Sequence, residues 1–106
     1  MRPMAGLPTP ERVARFQEAY AAPTRAYVLR VLLQQSRTYP ELFALISEET
    51  MSRSSVYEAL RDLTRFGYVE DDAPEGAVRK PKRTKIWACR ELIAEDLGAT
   101  VAWLLG

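Results

Sequence analysis

The stretch Ser52-Arg53-Ser54-Ser55-Val56-Tyr57-Glu58-Ala59-Leu60-Arg61-Asp62-Leu63-Thr64-Arg65-Phe66-Gly67-Tyr68-Val69-Glu70 decides how this 106-residue chain folds. Ser52 is a residue type whose hydroxyl satisfies an orphan amide in the first turn of a helix. Val56, Leu60 and Leu63, with Ala59 between them, recur at three- and four-residue spacing, so a helix over 52–66 has one apolar face. Gly67 stands where a left-handed residue ends a helix, and Tyr68-Val69-Glu70 reads as a short strand. The other side of the helix carries Arg53, Ser54, Tyr57, Glu58, Arg61 and Arg65, which packing does not explain.

Toward the C-terminus, Asp71 to Pro81 holds two prolines, a glycine and several charges and reads as a loop. Thr84 to Ala88 alternates polar and apolar residues, as a strand antiparallel to the first should. The loop ends in Arg79-Lys80-Pro81-Lys82-Arg83, four cations in five residues. A final helix is expected over 90–105. Ile93, Leu97, Val101 and Leu104 form its stripe, with Leu92, Trp103 and Leu105 largely off it. Such a helix has more apolar surface than one small domain buries, and Gly98 within it costs about 1 kcal/mol relative to Ala unless another backbone comes close.

Toward the N-terminus, Thr38-Tyr39-Pro40-Glu41 matches a capping box and opens a helix with Leu42, Leu45 and Ile46 inward. Phe43 and Ala44 lie alongside, and Ser47 to Thr50 reads as a turn. Pro23 starts the preceding helix, whose Tyr27, Val28, Leu29, Val31, Leu32 and Leu33 mark it as central. The first helix is expected to begin with Thr9 as cap and Pro10 at its first position, its apolar face carrying Val13, Phe16 and Tyr20. Residues 1–8 are expected to be an irregular arm. The expected fold is therefore mainly α with a small β-hairpin. It is a single-domain winged helix-turn-helix over 23–89, preceded by an arm and helix over 1–22 and followed by a helix over 90–106.

Composition narrows the chemistry. Net charge is only +1, yet six basic residues and no acidic ones lie between Arg79 and Arg90. With no histidine, the commonest general base and metal ligand is missing. The five glycines are scattered, so no phosphate-binding loop forms. One cysteine, Cys89, excludes an internal disulfide, and paired thiol or imidazole metal ligands are absent. No catalytic residue, metal or cofactor is expected, and no apolar run approaches the ~20 residues of a membrane span. The start Met1 to Gly6 lacks the apolar core of a secretory signal, so a cytoplasmic location is expected. Arg90 beside Cys89 could lower the thiol's pKa, which leaves a redox role open.

The outer-face residues suit a polyanion. Arginine can take guanine O6 and N7 together, serine and tyrosine can donate to phosphate, and a helix N-terminus favours an anion. The cationic loop resists compact folding unless an anion is near, and a duplex supplies one charge per ~1.7 Å of axis. Each feature has a plainer explanation: a solvated helix face that Glu58 and Asp62 dilute, or a solvated charge run. Together, within about fifteen residues, they are more specific than either alone.

The nineteen residues 52–70 resemble the recognition helix and first wing strand of winged helix-turn-helix transcriptional regulators of the ArsR-like, MarR-like and TrmB-like groups. The resemblance extends over roughly 23–89. It implies a double-stranded DNA-binding regulator, with Arg53, Ser54, Ser55, Tyr57, Arg61 and Arg65 on the recognition helix. Arg79, Lys80, Lys82, Arg83 and Lys85 fall on the wing. It departs from the pattern in the turn, where no glycine stands and Ala44 lies about two residues too far from Met51. The terminal helices are expected to form a homodimer layer through Phe16, Tyr20, Ile93, Leu97, Val101 and Leu104, although completing one protomer's core is the simpler role. No effector site is apparent. Other roles open at this point are a plasmid or phage accessory protein and a winged-helix protein-interaction module.

Overall fold

The structure, a computed structural model, describes residues 9–46, 51–73 and 83–106. Among them the chain order is α1 (Glu11–Ala21), α2 (Pro23–Gln34), β1 (Arg37–Thr38), α3 (Tyr39–Ile46), α4 (Arg53–Arg65), β2 (Val69–Asp71), β3 (Lys85–Ala88) and α5 (Arg90–Leu105). This is the expected mainly helical winged helix-turn-helix with an added helix at each end.

The helix boundaries follow from local chemistry. Ser52 caps α4 by accepting the Ser55 amide at 3.1 Å. At the other end the Gly67 amide reaches the Thr64 carbonyl and the Tyr68 amide reaches the Leu63 carbonyl, at 3.0 and 2.9 Å. These two bonds form a Schellman cap, which needs the left-handed φ of 80° that Gly67 adopts. The capping box of α3 also forms: the Thr38 amide donates to Glu41 Oε1 at 3.0 Å, and the Glu41 amide donates to Thr38 Oγ1 at 3.3 Å. The start of α1 differs from expectation. Pro10, not Thr9, holds the cap position, with no side-chain bond to the helix. Its extended backbone lets its carbonyl accept the Ala14 amide at 3.0 Å, so the helical residues begin at Glu11.

The hairpin gains a third strand. β3 lies between β1 and β2, antiparallel to both, with Arg37 opposite Ile86 and Val69 opposite Ala88. β1 is two residues long, too short to show any alternation. The strand expected to begin at Tyr68 begins at Val69 and extends to Asp71.

The core joins Val28, Leu29 and Leu32 of α2, Leu42 and Ile46 of α3, Val56, Leu60 and Leu63 of α4, and Ile86 of β3. Tyr68 and Ile93 join it, with Ala19 of α1 and Val69 of β2. α5 packs mainly on α1, and its buried face is Ile93, Asp96 and Thr100. The sequence reading had put Leu97, Val101 and Leu104 in line with Ile93; those three are exposed.

Asp96 is fully buried. Its carboxylate accepts Arg15 Nε at 2.6 Å, Arg15 Nη2 at 2.9 Å and the Tyr68 hydroxyl at 2.6 Å. Arg15 lies on α1 and Tyr68 at the entry to β2, so one carboxylate ties three elements. Burial alone pushes the Asp96 carboxyl up. The bonds from Arg15 and Tyr68, with the Arg15 and Arg12 charges, outweigh it and hold the carboxyl below its ordinary 3.8.

A group whose folded pKa is depressed contributes stability above its unfolded pKa, and that stability is lost as pH falls through the folded value. Asp96→Asn should cost about 3 kcal/mol in urea unfolding at pH 7, the low end for a broken buried pair because Arg15 keeps partial solvent access. Its unfolding free energy should also fall less steeply than the parent's below pH 4. An unchanged acid limb would show that the carboxylate is not charged in the fold.

Candidate nucleic-acid interface

The apolar stripe of α4 faces inward as the sequence required: Val56, Ala59, Leu60 and Leu63 are buried. That leaves Arg53, Ser54, Tyr57, Glu58, Arg61 and Arg65 exposed, and Ser55 half-buried. Ser55 is engaged locally, since its hydroxyl accepts that of Ser52 at 2.8 Å. Ser54 also lies near the Ser52 hydroxyl, at 3.2 Å. The first turn of α4 thus presents a cluster of hydroxyls over a helix N-terminus, where amide dipoles favour negative charge.

The basic side chains are not equivalent. The Arg53 guanidinium lies 5.1 Å above the Phe43 ring. Arg65 rests 5.3 Å from the Phe66 ring and 3.6 Å from Asp62, and it shares a surface groove with Glu11, Arg15 and Glu18 of α1. It therefore sits on the α1 side of α4. Asp62 also pairs with Arg25 of α2 at 3.6 Å, so one of the two acids that dilute the charge of α4 is turned toward a neighbouring helix, while Glu58 stays exposed.

Tyr57 and Arg61 face the sheet. An open groove of about 250 Å³ is lined by Tyr57, Leu60, Arg61 and Thr64 from α4, Tyr39 from α3, and Val69, Asp71 and Ile86 from the two hairpin strands. The arginine-bearing flank of α4 and the root of the hairpin thus open on one side of the molecule. At that root the acids serve the backbone. Asp72 Oδ1 accepts the Lys85 amide at 2.9 Å, and Asp71 Oδ1 accepts the Ala73 amide at 3.0 Å. Arg83 and Lys85 are exposed, with Lys85 Nζ 4.0 Å from Glu41. Arg79, Lys80 and Lys82 lie outside the described residues.

Of the residues expected at a dimer surface, Ile93 belongs to the chain's own core, and Phe16 and Tyr20 pack against that core, half-buried. Leu97, Val101 and Leu104 remain 46%, 45% and 65% exposed, with Trp103 and Leu105 also exposed. Completion of a single protomer's core does not account for these residues.

Two groups were missed in the sequence. The Arg15–Asp96–Tyr68 contact joins residues far apart in the chain, and its one local sign is an aspartate at helical spacing between Ile93 and Thr100. Tyr39 and Phe43, four residues apart on α3, flank Tyr57. Their spacing off the Leu42 and Ile46 face was a readable sign. For Cys89 the structure gives the opposite of activation. Burial, with the Glu70 carboxylate beside it, pushes the thiol up to about 11, while Arg90 donates to the Leu33 carbonyl instead. Among the described residues, no cluster of histidine, cysteine and acids could hold a metal ion, and no helix is long and apolar enough to cross a membrane.

The sequence matches no protein-family model and no curated protein. Solved structures do share the fold. An ArsR family transcriptional regulator aligns with a TM-score of 0.65 at 21% identity, over 92% of this chain and 91% of its own. NolR from Sinorhizobium fredii gives 0.61 at 21% identity, over 93% and 92%. Rv0081 from M. tuberculosis gives 0.58 at 25% identity, over 87% and 84%. Each alignment spans most of both chains.

Proposed function

We propose that this chain is a sequence-specific double-stranded DNA-binding protein, a transcriptional regulator acting as a homodimer, and not an enzyme. In this reading α4 enters the major groove, and the cationic hairpin loop over 79–85 lies on the backbone or in the minor groove. The observation that carries it is the shared groove: Tyr57 and Arg61 of α4 and the roots of β2 and β3 line one open surface. A duplex laid there would meet the reading helix together with Arg83 and Lys85, which follow Arg79-Lys80-Pro81-Lys82 in the chain. That one similar structure is a transcriptional regulator supports the regulatory role.

The homodimer reading rests on the outward row Leu97, Val101 and Leu104, which stays exposed among the described residues. Gly98 sits on the same helix, with open space where a Cβ would stand, so a second backbone can come near. Two reading helices about 34 Å apart would meet successive major-groove faces, which gives pairing a purpose.

Two kinds of cation should behave differently. Arg61→Ala should cost about 1–3 kcal/mol on a selected site and relax discrimination at one base pair, as Arg53→Ala should if its guanidinium also reaches guanine. Neutralising Arg79, Lys80, Lys82 and Arg83 should weaken binding to every duplex and flatten the salt slope. The parent dimer should lose about 10³–10⁵ in affinity between 50 and 200 mM salt. Equal losses on selected and random DNA for the arginine variants, or an unchanged slope for the loop variant, would remove those assignments. Binding to no duplex at all would favour a protein-interaction module.

Replacing Leu97 and Val101 with glutamate should yield a monomer in sedimentation that circular dichroism still shows folded, since both side chains are solvent-exposed within the protomer, and whose melting no longer depends on protein concentration. A persisting dimer would take α5 out of the interface.

A further inference from the structure

The outer side of α4 carries one side chain that is exposed and yet fixed. The Tyr57 ring is 48% exposed, but two rings from α3 hold it, Tyr39 with centroids 5.9 Å away and Phe43 at 5.1 Å. Both pairs are tilted, at 32° and 57°, within the range where aromatic rings attract. Tyr39 and Phe43 lie one turn apart on the same side of α3, while Leu42 and Ile46 of that helix go to the core. Phe43 also lies beneath the Arg53 guanidinium, so this one ring touches two side chains of α4.

An apolar face held rigid at the mouth of the major groove has one distinctive target there, the C5-methyl group of thymine. We infer that Tyr57 reads a thymine methyl with its ring, and that Tyr39 and Phe43 are positioning residues that set the ring before DNA arrives. This rests on the DNA-binding reading above. It differs from the role the sequence suggested for this tyrosine, donation of its hydroxyl to phosphate. A phosphate donor needs the hydroxyl and ignores the base; a methyl reader needs the ring and ignores the hydroxyl. The fixed ring also loses little rotamer freedom on binding, which favours a contact too weak to order a loose side chain.

The test uses the duplex that the full chain selects from a random pool, resynthesised with deoxyuridine in place of each thymidine in turn. Fluorescence anisotropy should find one thymine per half-site where loss of the methyl weakens binding about fourfold, the worth of one buried methyl group. Tyr57→Phe should keep that penalty and Tyr57→Ala should abolish it. Tyr39→Leu and Phe43→Leu should shrink it without changing the salt slope, in protein whose circular dichroism shows it folded. A bound duplex with no sensitive thymine, a penalty that survives Tyr57→Ala, or equal losses from Tyr57→Phe and Tyr57→Ala would each overturn the inference while leaving DNA binding intact. A penalty untouched by Tyr39→Leu and Phe43→Leu would strip those two of their positioning role. Selection that returns no duplex would sink both readings together.

Discussion

A carboxylate without water organises this molecule. Asp96 is fully enclosed, and an ion in that position is tolerable only when its lone pairs are filled by a counter-charge and donors. Arg15 supplies two bonds and Tyr68 a third. Because those partners stand on α1 and at the corner between α4 and β2, the terminal helices cannot slide against α4 and the hairpin without stranding the charge. Tyr68 meets the other constraints at this corner too. Its amide closes the cap of α4, its carbonyl accepts the Cys89 amide at 2.8 Å just before α5, and its hydroxyl reaches Asp96.

From that corner the exposed chemistry follows. With Leu63 and Tyr68 fixed, the direction of α4 is set, and the buried row Val56, Leu60 and Leu63 turns the Tyr57 and Arg61 flank toward the strands. Asp62 is taken up by Arg25 and Arg65, and at the hairpin root Asp71 and Asp72 accept the Ala73 and Lys85 amides.

What could be read from the residues in order was whatever depends on neighbours in sequence. The Ser52 cap, the Thr38–Glu41 box and the Gly67 terminator are encoded within three to five residues, and each formed. The outward set on α4 was equally legible, because it is the complement of a periodic apolar row. Thr9 misled because a threonine before a proline satisfies the same local rule, while the proline carbonyl starts the helix without it. β1 was invisible, since two residues carry no period and their pairing partner lies almost fifty positions away. The face of α5 was misjudged for a related reason. A buried aspartate and threonine look like solvent-facing residues until Arg15 and Tyr68 are seen to answer them.

The third strand has a mechanical consequence. β3 is the middle of the sheet, so the arm leading back from the cationic loop is bonded on one side to β2 and on the other to Arg37 and Thr38. Thr38 is also the residue that caps α3, and α3 carries the rings that steady Tyr57. Movement of β3 is therefore resisted on both edges, and its pairing with β1 couples its position to the root of α3. The strand that leads into α5 is in this way geared to the helix whose rings brace Tyr57.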